Sequence, residues 1–306
     1  MRSAGRIALV AGGLLVVGCR GTPNEVEQHA TELAARARLV DSRLAQAGET
    51  DSKSPLAMWI MPEELHEISG LALTPDGRLL AHDDEIGKVY EIDEKRGIIL
   101  KRFLLAGTPH ADFEAITIAG SYIFLMSSNG VFYQFKEGTN GASVPYVKHD
   151  THLGHECEFE GAAYQADSAW MVMPCKTIRK KSLRDQILIY RWRLNDPDSL
   201  GPSILTVPVS EVAGQNKWKE FRASDITIDP TTGDYVIISS LEKGLVEVTP
   251  EGDVVRAEAL PGKHHQAEGV AITKSGILIV SDEATTKPAA ISLYRWVPAG
   301  TGAPSR

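Results

Sequence analysis

The chain has 306 residues, with 40 acidic against 32 basic side chains, a formal net charge of −8 and 43% hydrophobic residues. That length suits one large all-β domain or two small ones. The acidic balance argues against nucleic acid, which is bound through a basic patch, and leaves cation binding open.

The N-terminus carries Arg2 and Arg6 and no acid, then an apolar run from Ile7 to Val17, then Gly18 and Cys19. A basic flank, a short apolar run and small residues describe a secretion signal. The run is shorter than the roughly 20 apolar residues that span a bilayer. Val16-Val17-Gly18-Cys19 resembles the bacterial lipobox. The resemblance implies a signal peptide over residues 1–18 and a new N-terminus at Cys19, which is diacylated and palmitoylated and so tethers the chain to the cell envelope. Arg20 stands where an inner-membrane lipoprotein usually has aspartate, which favours the outer membrane.

Residues 19–55 read as a spacer. Glu25 to Ala47 is rich in Ala, Glu, Arg and Leu, lacks Gly and Pro, and places Val26, Leu33, Val40 and Leu44 at roughly helical spacing. An exposed helix is expected, with a disordered spacer as the alternative. Gly48 to Pro55 reads as a flexible joint.

From residue 56 to 298 the pattern is all β: short runs of Ile, Val, Leu and Tyr alternate with turn clusters. Five segments share one layout, an inner run, a turn and a second run. They are Ser69-Gly-Leu-Ala-Leu, Glu114-Ala-Ile-Thr-Ile, Glu160-Gly-Ala-Ala-Tyr, Ser224-Asp-Ile-Thr-Ile and Glu268-Gly-Val-Ala-Ile, at intervals of 45, 46, 64 and 44 residues. A period near 45 with four candidate strands per repeat predicts a five-bladed β-propeller with four-stranded blades. The long interval predicts an insertion, placed at the basic run Lys176 to Lys181 and near Gln215 to Lys219. The fifth repeat lacks a fourth strand, and Ala57 to Met61 is a strand without a blade. That N-terminal strand is expected to close the last blade and remove an open edge. Residues 299–306 read as a disordered tail.

Aligned on the inner strand, the lead column reads Ser69, Glu114, Glu160, Ser224 and Glu268, and two residues earlier it reads Glu67, Asp112, Glu158, Arg222 and Gln266. Positions two apart in a strand share a face. Glu114, Glu160 and Glu268 are therefore expected at one mouth of the central channel, beside Glu67, Asp112 and Glu158, with Asp225 reaching the same region. Carboxylates crowded together repel unless a cation sits among them. An all-oxygen donor set suits Ca²⁺, which takes six to eight ligands. The alternative is that these carboxylates accept backbone hydrogen bonds from neighbouring blades and do nothing else. Asp83-Asp84-Glu85, Glu242 and Asp282-Glu283 read as solvated loop caps, and His264 and His265 as rim residues. Cys157 and Cys175 lie at the far ends of one predicted hairpin, where a disulfide and two free thiols both remain open.

Glu67-Ile-Ser-Gly-Leu-Ala, Asp112-Phe-Glu-Ala-Ile, Glu158-Phe-Glu-Gly-Ala-Ala and Gln266-Ala-Glu-Gly-Val-Ala, each followed by a turn and a strand, resemble the SdiA-regulated propeller family over about residues 56–298. The family is distantly related to NHL-repeat proteins, and the resemblance implies a five-bladed propeller with a bound calcium ion. The chain departs from the pattern at Ala115, where glycine is more usual, and in the basic insertion. Neither a G-x-S-x-G nor an H-E-x-x-H motif is present. The expected function is a calcium-stabilised binding or scaffold module for an unidentified protein or small molecule. The alternative is a calcium-dependent phosphoester hydrolase like the propeller phytases, with Arg179, Lys180, Lys181 and Arg222 holding substrate charge.

Overall fold

A computed structural model describes residues 23–48, 53–193 and 202–299. The signal segment, Cys19 and residues 300–306 lie outside the described residues. Helix α1 (Pro23–Gln46) comes first and β1 (Ala57–Ile60) follows. Blade 1 contains β2 (Ile68–Leu73), β3 (Leu79–Asp83), β4 (Lys88–Asp93) and β5 (Ile98–Leu105). Blade 2 contains β6 (Phe113–Ala119), β7 (Tyr122–Ser127) and β8 (Val131–Phe135). A short β9 (Ser143–Val144) then adds parallel to β5 before β10 (Tyr146–Asp150) completes blade 2. Blade 3 contains β11 (Cys157–Phe159), β12 (Ala163–Gln165), β13 (Trp170–Ile178), β14 (Gln186–Arg193) and β15 (Ser203–Pro208). A short helix α2 (Val209–Ala213) leads to blade 4, which is β16 (Asp225–Ile228), β17 (Tyr235–Ser239), β18 (Gly244–Val248) and β19 (Val254–Ala259). Blade 5 is β20 (Ala267–Ile272), β21 (Ile277–Asp282) and β22 (Ala290–Arg295), with β1 as its outer strand.

The ring closes as the missing fourth strand predicts. β1 runs antiparallel to β22, with Ala57 opposite Leu293 and Ile60 opposite Ala290. The inner strands β2, β6, β12, β16 and β20 contact one another in that cyclic order. Period-2 alternation sends apolar side chains to both faces of each radial sheet, because both faces meet another blade. The result is five separate apolar clusters, one at each blade-to-blade interface. Turns between inner and second strands use the expected chemistry. In blade 1, Gly77 at φ +88° donates its N–H to Thr74 at 2.8 Å, a conformation that β-carbons disfavour.

The helix is present, and its C-terminal half is docked rather than free. Val40 is fully buried and packs with Leu44 and Ala47 on the cluster between blades 5 and 1. Arg43 donates to the Leu56 carbonyl at 2.7 Å, Lys95 pairs with Asp41 at 2.6 Å, and Arg36 lies over Trp59. The helix thus braces the seam where the two ends of the chain meet. The insertion also differs from the expected loop. Lys176 to Ile178 continue strand β13, leaving Arg179 to Arg184 as an exposed hairpin tip. The other extra residues form α2 and the turn after it. Cys157 and Cys175 form a disulfide between β11 and β13, with Cα atoms 5.8 Å apart.

Candidate functional site: an acidic channel mouth

In every blade the lead residue stands out of the regular ladder. The pairing skips at Ser69-Gly70, at Glu114 and at Glu268, and Glu160-Gly161-Ala162 splits the inner strand of blade 3 into β11 and β12. In blade 4 the N–H of Ser224 reaches the Ile238 carbonyl at 2.8 Å, although Asp225 is the ladder partner of Ile238. A bulge re-aims a side chain that regular alternation would send to a blade interface. This, rather than the two-residue period, turns the lead side chains to the channel. The two serines of the column tie blades together: Ser224 donates to the Ala267 carbonyl at 2.7 Å, and the Ser69 carbonyl accepts from Ser281 at 3.1 Å.

The three lead glutamates converge. Burial raises the Glu114 carboxyl to about 9, helped by the charges of Glu160, Asp112 and Glu268. Burial likewise lifts Glu160 to about 8 against the attraction of Lys176, with Glu268 and Glu158 adding repulsion. Glu268 is raised to about 7, again first by burial. Asp112 and Glu158 therefore stand beside the ring, as the alignment expects. Glu67 joins a second group with Asp84 and Glu283, in which one oxygen of each residue lies within 4.8 Å of the others. Burial, a hydrogen bond shared with Glu67 and the charge of Asp84 raise Glu283 to about 8. Burial and the neighbouring carboxylates raise Asp84 to about 6. His66 stands outside this group, its Nε2 3.0 Å from Glu67.

Asp84 and Glu283 correct the reading of the second-strand acids as solvated caps. Asp83 and Asp282 do cap backbone N–H groups but are buried rather than solvated, Asp83 accepting from Glu85 and Ile86; Glu85 is exposed, and Glu242 caps as expected, accepting from Ser239 and the N–H of Arg222. Asp282 caps His265 and Gln266 and also binds His264 Nδ1 at 2.6 Å. His264 is accordingly buried against Pro261 and Tyr294 rather than placed on the rim. Burial opposes the charge on Asp282, but the hydrogen bond and charge of His264 and the N–H of Gln266 hold its pKa below the ordinary range.

Asp225 has a different task from the ring. It sits where three other blades have Gly70, Gly161 and Gly269, and it is 2% exposed. Its Oδ1 accepts from the N–H of Ile226 at 2.8 Å and its Oδ2 from the N–H of Val270 at 2.7 Å, while the N–H of Leu71 adds a third bond. One carboxylate thereby joins the inner strands of blades 4, 5 and 1 across the channel. A β-carbon on Gly161, at φ +97°, would stand 2.8 Å from Asp225 Oδ1, so the axis has room for one side chain at this level. Ala115, the departure from glycine, is buried in the interface between blades 2 and 3 and leaves the axis free.

Lys176 is the functional residue that sequence reasoning missed. Its Nζ is hydrogen-bonded to Glu160, and its charge also acts on Glu268 and Glu114. Burial works against that ammonium, but the carboxylates outweigh it and raise its pKa. A basic run looks like a loop; the usable signal was Cys175, which as a partner of Cys157 requires the strand to extend to the residue before Lys176. Arg222 pairs with Glu220 at 3.0 Å, while no salt bridge engages Arg179, Lys180, Lys181 or Arg184 among the described residues.

A family model described as SdiA-regulated matches residues 211–295, a narrower span than the resemblance over 56–298. No curated protein sequence matches the chain. Similar solved structures include the glutaminyl cyclase of Myxococcus xanthus, at 9% identity and TM-score 0.52, covering 80% of this chain and 97% of that one. The PQQ-bound aldose sugar dehydrogenase of Streptomyces coelicolor is similar at 12% identity and TM-score 0.50, covering 80% and 99%. At such identities the likeness is one of fold. The chain is thus a five-bladed β-propeller with an SdiA-regulated family match that runs from α2 to the end of β22.

Proposed function

We propose that the chain is a lipid-anchored envelope protein whose acidic channel mouth holds a calcium ion and serves as a binding or scaffold module. The observation that carries this reading is the meeting of Glu114, Glu160 and Glu268 from three blades, beside Glu67, Asp84 and Glu283. The donor set is all carboxylate oxygen, which suits a hard cation. Asp84 Oδ1 is buried without a hydrogen-bond partner, as expected of an atom reserved for an ion. Glu67, Asp84, Glu283 and the lead glutamates would hold the ion, with Asp112 and Glu158 supplying outer charge. Asp225 holds the backbone beneath them.

The anchor is the acylated Cys19, and α1 links it to the propeller seam. Two or more acyl chains hold a protein firmly, each buried CH₂ contributing roughly 0.8 kcal/mol. Calorimetric titration of the purified chain with CaCl₂ tests the ion: saturable binding that is lost in Glu114→Gln/Glu160→Gln supports the reading, and unchanged binding in that variant refutes it. Metabolic labelling with palmitate, absent in Cys19→Ala, tests the anchor.

A second reading, calcium-dependent phosphoester hydrolysis, is favoured by the exposed basic hairpin tip of Arg179, Lys180, Lys181 and Arg184, whose arginine side chains bond only to the Gly154 and Ile178 carbonyls among the described residues and which follows directly on the strand that carries Lys176. Bound there, the ion would polarise a phosphoryl oxygen; the tip would attract the substrate's charge. Turnover of a generic phosphoester or of phytate that requires calcium and fails in Glu160→Gln would favour this reading over the scaffold.

A further inference from the structure

The channel has a second opening, on the face that carries the turns between inner and second strands. A cavity of about 940 Å³ lies there. Its wall repeats with the blades: four residues beyond each lead position stand Leu73, Ile118, Tyr164, Ile228 and Ile272, and all five line the cavity. The first four are only partly buried, each with one side on an inter-blade cluster and the other toward the cavity. The floor is formed one turn deeper by Leu71, Ile116 and Ile226, just past the Asp225 carboxylate that joins blades 4, 5 and 1. The two openings of the channel are therefore chemically distinct, one walled by carboxylates and one by aliphatic side chains.

We propose that this cavity is a binding site for an uncharged, predominantly aliphatic small molecule. Its volume falls within the roughly 300–1,000 Å³ of small-molecule sites, and an apolar deeper wall under a polar rim of turn residues suits an apolar ligand. The hydroxyls of Thr117 and Thr227 are the polar side-chain groups deeper in the wall, and they suit a neutral hydroxyl or carbonyl on the ligand. The charged lining residues, Asp76, Glu94, Lys95 and Lys274, all stand in turns at the rim, where Asp76 pairs with Arg78 at 2.9 Å and Lys95 with Asp41 of α1 at 2.6 Å. A charged ligand would lose its hydration without gaining a partner at depth. The site is independent of the acidic mouth and of any ion held there.

The test uses the purified chain with N-phenyl-1-naphthylamine, a neutral probe that fluoresces in apolar surroundings, and with 1-decanol and decanoate as competitors. Saturable binding of one probe per chain is expected, with displacement by decanol at least tenfold more effective than by decanoate. Leu73→Trp, which fills the cavity with an apolar group, is expected to weaken the probe at least tenfold. Ile228→Asp, which places a charge in the wall, is expected to do the same. Val147→Thr, at an exposed position of the outer strand of blade 2, leaves probe binding unchanged. Circular dichroism and the melting temperature establish that each variant is folded, and two variants at different blades guard against one failing. Absence of saturable binding, equal affinity in both folded wall variants, or decanoate competing as well as decanol would each overturn the proposal.

Discussion

Replacing Lys176 by methionine isolates the electrostatics of the acidic mouth. The substitution keeps an unbranched apolar stem and deletes the ammonium bonded to Glu160, whose side chain is 4% exposed. Removing one partner of a buried ion pair commonly costs about 3–5 kcal/mol. With its pKa at about 8, Glu160 is already mostly protonated at pH 7, and the pKa rises further without Lys176, so a charge is orphaned only as pH passes that value. The expected loss is therefore only about 1 kcal/mol at pH 7, the cost of one hydrogen bond, and each pH unit above about 8 adds up to about 1.4 kcal/mol. Lys176→Met/Glu160→Gln removes the orphaned charge as well and is expected within about 1 kcal/mol of wild type. Urea denaturation in chelator, at pH 6 and pH 9, for both single variants and the double variant closes the cycle. Additive losses, or a Lys176→Met cost independent of pH, would refute the arrangement of charges described here.

The ion-free chain is expected to lose stability as pH rises. Glu114, Glu160 and Glu268 titrate at about 9, 8 and 7 when folded, against an ordinary 4.5, so the folded state holds more protons across that window. Their favourable contribution is complete below 4.5 and lost as pH passes the folded values. Melting curves in chelator should fall from pH 5 to pH 9, and calcium should flatten that fall. Reducing the Cys157–Cys175 disulfide, which closes a loop of sequence separation 18, should cost about 3 kcal/mol in urea denaturation and loosen Lys176. Asp225→Ala leaves the N–H groups of Ile226, Val270 and Leu71 without their acceptor and should cost about 2–4 kcal/mol by the same measurement. Val40→Ala removes two buried methyl groups from the seam between blades 5 and 1 and should cost about 1.5 kcal/mol.

The legible part of this protein lies in its repeats. Five inner strands announce themselves because each blade must present an apolar face to both neighbours and end in a tight turn, and those demands recur every 45 residues or so. Closure was legible for the same reason: a blade with three strands and an unattached strand at the other end of the domain leave one economical solution. Glu114, Glu160 and Glu268 were legible because one repeat position in an axially arranged fold has one destination.

Other features have no local signature. The bulges that aim the lead glutamates arise from two strands falling out of step, a property of the pair and not of either segment. Asp84 and Glu283 come from different blades and meet only because the ring is closed, so from sequence each looks like a loop cap. Lys176 belongs to a strand that its basic neighbours disguise, and the role of Asp225 depends on Gly161 in the neighbouring blade, which leaves room for its carboxylate. Periodicity and composition are written along the chain and alone determine which segments become strands and how many blades they build. Which charges share one small volume is decided between blades, where distances across the axis, absent from any single repeat, set the electrostatics.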